Sequence, residues 1–95
     1  MEYEEVYMRL KQKYDEKIID EIPKILQSIN KNQRQYNVRI ELDKLQDISN
    51  QLYYVYGATD EIILLQAMIN SLRHDYDIPD EKELIYNMPD GDFAQ

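Results

Sequence analysis

The sequence predicts an all-α fold, a small bundle of three main helices followed by one short helix. Along most of the chain, apolar residues recur every three or four positions, which is the spacing of one face of an α-helix. Glycine occurs only twice and proline three times in 95 residues, so the tight turns that join strands are scarce. With 43% hydrophobic and 32% charged residues, the chain has the composition of one folded domain, which we assign to residues 1–95.

The first predicted helix covers about residues 3–29. Its apolar stripe consists of Tyr3, Tyr7, Leu10, Tyr14, Ile18, Ile22, Ile25 and Ile29. Pro23 interrupts this stripe, because a proline inside a helix removes a hydrogen bond and clashes with the preceding turn. We therefore expect a kink or a short break near residues 20–23. In an alternative interpretation, Asp20 caps a new helix and Pro23 lies in its first turn.

Two further long helices are predicted after a polar loop at residues 30–37. The second helix covers about residues 38–56 and ends at Gly57, because glycine adopts a left-handed conformation at little cost. The third covers about residues 60–76. It has the widest apolar face, so we expect it to be the central element with neighbours on two sides. A short helix over about residues 79–88 completes the bundle.

Negative charge is concentrated in the second part of the chain. The net charge is −8, and residues 57–95 contain nine acidic residues but only two basic ones. Residues 24–39 contain four basic residues and no acidic one. Binding to nucleic acid needs a clustered cationic face that neutralises phosphates, so we expect no direct nucleic acid binding. The acidic part is instead expected to attract a basic protein surface.

The residues that commonly carry catalysis are nearly absent. Without cysteine, the chain has no disulfide, no thiolate chemistry and no cysteine-ligated zinc. The single histidine, His74, is followed by Asp75, but adjacent helical residues diverge by about 100°, which makes Asp75 a poor partner for an imidazole base. The acids at 75–86 lack the glycine and glutamate of a calcium loop. We predict no enzymatic activity, no metal and no cofactor.

No segment has the pattern of a signal peptide or a membrane span. Residues 2–5 contain three acids, where a signal peptide begins with basic residues. The longest purely aliphatic run covers residues 62–65, far too short to cross a bilayer. We expect a cytoplasmic protein that does not bind membranes.

Two groups of residues are candidate partner-binding sites. The first is a set of tyrosines at the end of the second helix: Tyr53, Tyr54 and Tyr56. These cannot all point inward, and tyrosine offers a large contact area with few rotatable bonds. The second is a set of acids after the third helix: Asp77, Asp80, Glu81 and Glu83. In the alternative interpretation, the tyrosines only border the core and the acids only cap a helix and keep the protein soluble.

These features predict a non-enzymatic interaction module, a small acidic regulator or inhibitor that binds a basic protein surface. Antitoxins, immunity proteins and phage-encoded inhibitors are the analogous classes. The alternative is a structural or assembly accessory, such as a phage morphogenesis helper or a self-associating bundle. In that case the stripe on residues 3–29 pairs two copies into a homodimer, and the dimer is insensitive to salt.

Overall fold

The computed structural model describes residues 2–79 and shows them as an all-α bundle without strands. Four α-helices are present in this range: α1 (Tyr3–Tyr14), α2 (Glu21–Lys31), α3 (Gln35–Tyr56) and α4 (Asp60–Asp75). A 3₁₀ helix (Lys17–Asp20) lies between α1 and α2. The predicted fold class is confirmed. The short helix predicted beyond Pro79 lies outside the described residues.

The four helices enclose one hydrophobic core. α4 packs against α1 and α3, and α3 packs against α2, which closes on α1. The third long helix has neighbours on two sides as predicted, but so has α3, and α4 is therefore not the single central element. Every helix contributes fully buried side chains to the core, among them Leu10, Ile19, Ile22, Leu42, Leu45, Leu65, Met68 and Ile69. No helix within residues 2–79 is both long and apolar enough to cross a membrane.

The first predicted helix is in fact two helices, and the break is not at Pro23. α1 ends at Tyr14, and Asp15 adopts a left-handed conformation with φ 48° and ψ 41°. Glu16 is extended, with φ −92° and ψ 140°. A kink near Pro23 is not confirmed. Pro23 is the third residue of α2, where backbone N–H groups have no partner inside the helix, so the missing N–H costs little there.

A single carboxylate fastens α1 to the 3₁₀ helix. Asp20 accepts hydrogen bonds from the Tyr7 hydroxyl and from the Lys11 ammonium, both at 3.1 Å. Lys11 also pairs with Asp15 at 3.1 Å. The hydrogen bond from Lys11 is the main reason that the pKa of Asp20 lies below its ordinary value. These contacts set the angle at which the chain turns from α1 towards α2.

The connections between the other helices are short. The loop between α2 and α3 covers residues 32–34 rather than 30–37. Asn37, which we expected in the loop, lies in α3 and donates from its side chain to the carbonyls of Ser28 at 3.3 Å and Asn32 at 2.9 Å. Gly57 ends α3 as predicted, with a positive φ of 81°, but its ψ of −165° lies outside the left-handed helical conformation that we expected. Residues 57–59 are then the only connection between α3 and α4, which makes these helices antiparallel neighbours.

Candidate protein-docking surface

The end of the bundle where α1 and α3 end and α4 begins is rich in exposed aromatic and aliphatic side chains. We call it the aromatic end, and it comprises residues 13–16 and 53–63. Tyr53 is 58% exposed, Tyr54 90% and Val55 66%. The expectation that the three neighbouring tyrosines cannot all point inward is met, because two of them extend into solvent.

Tyr56 differs from its two neighbours because it joins α3 to α1. Its ring stacks on Tyr14 in a tilted arrangement, with ring centroids 4.2 Å apart. Its hydroxyl donates a hydrogen bond to the Glu16 carboxylate, and this bond is the main reason that the pKa of Tyr56 is raised. The Tyr14 hydroxyl is hydrogen-bonded to the Thr59 hydroxyl, next to the start of α4. Tyr56 is 37% exposed, but its ring and hydroxyl are engaged in contacts within the protein that a partner would have to replace.

An ion pair adds a second link between α1 and α4 at this end. Lys13 Nζ lies 3.0 Å from Glu61 Oε1 and 5.9 Å from the centroid of the Tyr14 ring. The hydrogen bond from Lys13 lowers the pKa of Glu61 and raises that of the lysine itself. Glu61 also lies in the first turn of α4, where the helix dipole favours a negative charge. The aromatic end is therefore built on a fixed frame.

Tyr53 borders a shallow groove between α3 and α4. The groove has a volume of about 190 Å³ and is lined by Ser49, Asn50, Tyr53, Ala58, Ile62, Ile63 and Gln66. Ile63 is 55% exposed and forms the wall on the α4 side. Sites for small molecules usually have volumes of about 300–1,000 Å³. The groove is smaller than that, so it suits a single side chain of a protein partner better than a metabolite.

The polar floor of this groove continues along α3 and α4 as a network of side-chain amides. Gln46 and Gln66 exchange two hydrogen bonds, at 2.8 and 2.9 Å. Ser49 donates to Gln66 at 3.0 Å, and Gln66 donates to Asn70 at 3.1 Å. Arg73 closes the row by donating to Gln46 at 3.0 Å. Because the paired amides satisfy each other, they fix how α3 and α4 are aligned beneath the groove.

The charge around this surface is negative. The sequence has no lysine, arginine or histidine from position 45 to position 72. Asp47 and Asp60 are exposed on the same two helices, and Glu16 lies beside Tyr56. A partner that covers Tyr53 and its groove therefore meets no lysine, arginine or histidine from residues 45–72.

The predicted acidic site lies elsewhere. Asp77 follows α4, and its carbonyl accepts a hydrogen bond at 3.3 Å from the side chain of Gln35, the first residue of α3. Tyr56 is the last residue of this 22-residue helix, which at about 1.5 Å per residue is roughly 32 Å long. The tyrosines and Asp77 are thus at opposite ends and do not form one patch. The other predicted acids, Asp80, Glu81 and Glu83, lie outside the described residues.

Ile63 is a surface residue that the sequence does not single out, because it belongs to the aliphatic run 62–65 on the helix with the widest apolar face. The helical pattern contained the signal. Ile62, Leu65 and Ile69 follow the three-and-four spacing of the buried face, and Ile63 lies about 100° away from Ile62. Asn50 and Ala58 were missed because nothing in the sequence alone marks the lining of a groove.

Catalytic and metal chemistry find no further support from the geometry. His74 and Asp75 are both exposed near the end of α4. Between residues 2 and 79, no group of three or more histidine, aspartate or glutamate side chains is placed to hold a metal ion. In comparisons with known proteins, the chain matches no protein family, no curated protein and no solved structure.

Proposed function

We propose that this protein is a non-enzymatic interaction module that binds a basic protein partner through its aromatic end. The observation that carries the proposal is the exposure of Tyr53 and Tyr54, with Tyr53 lining a groove, while the nearby Tyr14 and Tyr56 are engaged in internal contacts. Exposed aromatic residues that are not needed for folding are typical of binding surfaces.

The size of the exposed apolar surface is sufficient for a specific contact. Tyrosine side chains bury about 150–250 Å² each when fully covered, and burial of apolar surface contributes about 25 cal/mol per Å². Tyr53 and Ile63, which line the same groove and are 58% and 55% exposed, offer enough area for one binding hot spot, in which single residues contribute about 2 kcal/mol or more.

A basic partner fits both the aromatic rings and the charge. Lysine and arginine side chains bind over tyrosine rings with about 0.5–2 kcal/mol, depending on how far they are desolvated. Asp47 and Asp60 are positioned on the same helices to attract such cations. The net charge of −8 also increases the rate of encounter with a positively charged surface.

Within this proposal the protein is a small acidic regulator or inhibitor that covers a basic surface of its target in the cytoplasm. The rigid frame of the aromatic end supports that role, because a preorganised surface loses less conformational entropy on binding. The assembly role is less well supported. The stripe on residues 3–29 that would pair two copies is packed against the core of its own chain.

The test uses three full-length proteins: wild type, Y53S/Y54S and Y36S. Tyr36 is 79% exposed at the other end of α3, so Y36S is a control for the loss of an exposed tyrosine. Partners are captured from lysate and identified by mass spectrometry, and their affinity is then measured at two salt concentrations. We expect Y53S/Y54S to weaken binding at least about 10-fold, Y36S to bind like wild type, and salt to weaken every complex.

Two results contradict the proposal. Equal binding by Y53S/Y54S and wild type shows that the aromatic end is not the docking surface. A salt-insensitive dimer in light scattering, with no captured partner, favours the assembly role instead. Circular dichroism of each variant establishes that a loss of binding is not a loss of folding.

A further inference from the structure

The end of the bundle opposite the aromatic end carries exposed cations. We call Lys31, Arg34 and Arg39 the basic corner; they lie at the end of α2 and the start of α3. All three are exposed, and none forms an ion pair with a carboxylate of residues 2–79. The basic corner is therefore available for an acidic group.

An apolar groove lies at the same end, between α1, α2 and α4. It has a volume of about 210 Å³ and is lined by Tyr3, Leu26, Ile29, Asn30, Leu72 and Tyr76. Tyr3, Leu26 and Tyr76 pack against the core only from its outer side and stay partly exposed. Five of the six lining residues are apolar or aromatic, so the groove favours an apolar occupant.

The described part of the chain ends between these two features. Tyr76 is a wall of the groove, and the side chain of Gln35, next to Arg34, donates to the carbonyls of Tyr76 at 3.1 Å and Asp77 at 3.3 Å. Asp77 then turns the chain with φ 56°, and Ile78 is buried. Whatever follows Pro79 begins within a few residues of both the groove and the basic corner.

The sequence that follows complements both features. Residues 80–95 contain five acids and one lysine, a net charge of −4. They also contain five large apolar or aromatic residues: Leu84, Ile85, Tyr86, Met88 and Phe93. Four extended residues span about 13 Å. Asp77 is already hydrogen-bonded to Gln35, the neighbour of Arg34, so the first acids of the segment are close enough in sequence to reach Lys31 and Arg34.

We propose that this end of the bundle is the docking site of the chain's own segment 80–95, whose carboxylates pair with Lys31 and Arg34 and whose apolar residues enter the groove. A segment attached next to its site has a high effective concentration, so modest contacts suffice. The site is separate from the aromatic end, and either proposal can fail without the other.

The test is zero-length cross-linking of the full-length protein with a carbodiimide, followed by digestion and mass spectrometry of the monomer. We expect an amide between Lys31 and a carboxylate of residues 80–83, with a yield that falls several-fold at 1 M salt, where screening acts over about 3 Å. The Lys13–Glu61 pair, 3.0 Å apart at the aromatic end, is the positive control for the reagent.

A second measurement uses variants that keep the fold. In K31E/R34E the segment is repelled, and we expect an environment-sensitive hydrophobic dye to bind the uncovered groove with a several-fold rise in fluorescence. R9E/K17E carries the same change in charge at exposed positions away from the corner that form no ion pair within residues 2–79, and it is expected to behave like wild type. Cross-links found only between two chains, or no Lys31 cross-link while Lys13–Glu61 forms, overturn the proposal. Equal dye binding by wild type and K31E/R34E does so as well.

Discussion

The two ends of the bundle are fastened by different kinds of contact. At the aromatic end, side chains of different helices contact each other directly, as in the Lys13–Glu61 ion pair and the stacked Tyr14 and Tyr56 rings. At the opposite end, amide side chains donate to backbone carbonyls. Gln35 binds the carbonyls after α4, and Asn37 binds those at the end of α2.

This difference teaches which exposed groups are available for binding. The frame of the aromatic end uses the charges and hydroxyls of its own residues, and leaves Tyr53 and Tyr54 as its free aromatic surface. The frame of the opposite end uses uncharged amides, and leaves the cations Lys31 and Arg34 without ion pairs to residues 2–79. Whether an exposed side chain is available for binding depends on its contacts within the protein more than on its residue type.

The largest difference in stability is expected between two single variants that each lose a tyrosine ring, one at each end of the bundle. Y14A deletes a partly buried ring that stacks on Tyr56 and binds Thr59, and we expect it to lower the free energy of unfolding by about 2–3 kcal/mol. Y36A removes a ring that is 79% exposed and is expected to cost less than about 0.5 kcal/mol. Urea denaturation measures both, and similar losses for the two variants contradict the comparison.

A smaller effect is expected at two of the three described positions with positive φ, Gly57 at the aromatic end and Asp77 at the opposite end. Gly57 has φ 81° and ψ −165°, and an added Cβ meets no atom within 4 Å, so the cost of G57A is backbone strain, about 1–3 kcal/mol. Asp77 has φ 56°, which non-glycine residues tolerate better, and we expect D77A to cost less than about 1 kcal/mol. Thermal unfolding measures both. A larger loss for D77A than for G57A shows that the turn after α4 is the more strained.

The smallest effect concerns acid. The pKa of Glu61 is lowered in the folded protein, so its ion pair with Lys13 stabilises the fold above the ordinary pKa of a glutamate and is lost as the pH falls through the folded value. We expect E61Q to flatten the fall in stability between about pH 5 and pH 3. D75N removes a carboxylate that forms no ion pair with residues 2–79 and is the control for the loss of one negative charge. Unfolding curves at several pH values measure the pH dependence of stability for each protein. Equal pH profiles for E61Q and wild type contradict the prediction.

Most of the fold could be predicted because the buried side chains follow helical spacing. Leu42, Leu45 and Leu52 mark one face of α3, and Leu65 and Ile69 mark that of α4. Gly57 marked the end of α3 because its φ of 81° is one that other residues adopt at a cost. Local rules of this kind act within a few residues and are visible in the sequence.

The break in the first predicted helix could not be located in the same way. Proline is the usual sign of a break, but Pro23 lies in the first turn of α2, where it is tolerated. The actual break is at Asp15, whose left-handed conformation precedes the Asp20 contacts with Tyr7 and Lys11. Those contacts join residues 9 and 13 positions apart along the chain. They arise from tertiary structure, which the local pattern does not contain.

The candidate site was predictable only in part for the same reason. Crowding of three tyrosines indicated that some are exposed, but the partner that holds Tyr56 is Tyr14, from a different helix. Likewise, the sequence grouped Asp77 with the tyrosines as partner-binding residues, although the length of α3 separates them. Which residues share a surface depends on how the helices are arranged.

The reciprocal Gln46–Gln66 pair has a consequence for the conditions under which the protein can work. An ion pair weakens when salt rises or when one partner is titrated, whereas two neutral amides keep both hydrogen bonds under such changes. The contribution of this amide pair to the alignment of α3 with α4, and so to the groove beside Tyr53, does not depend on a titrating or screened charge of either glutamine. In the complex that we propose, salt would then weaken recognition through the charges while the groove keeps its shape.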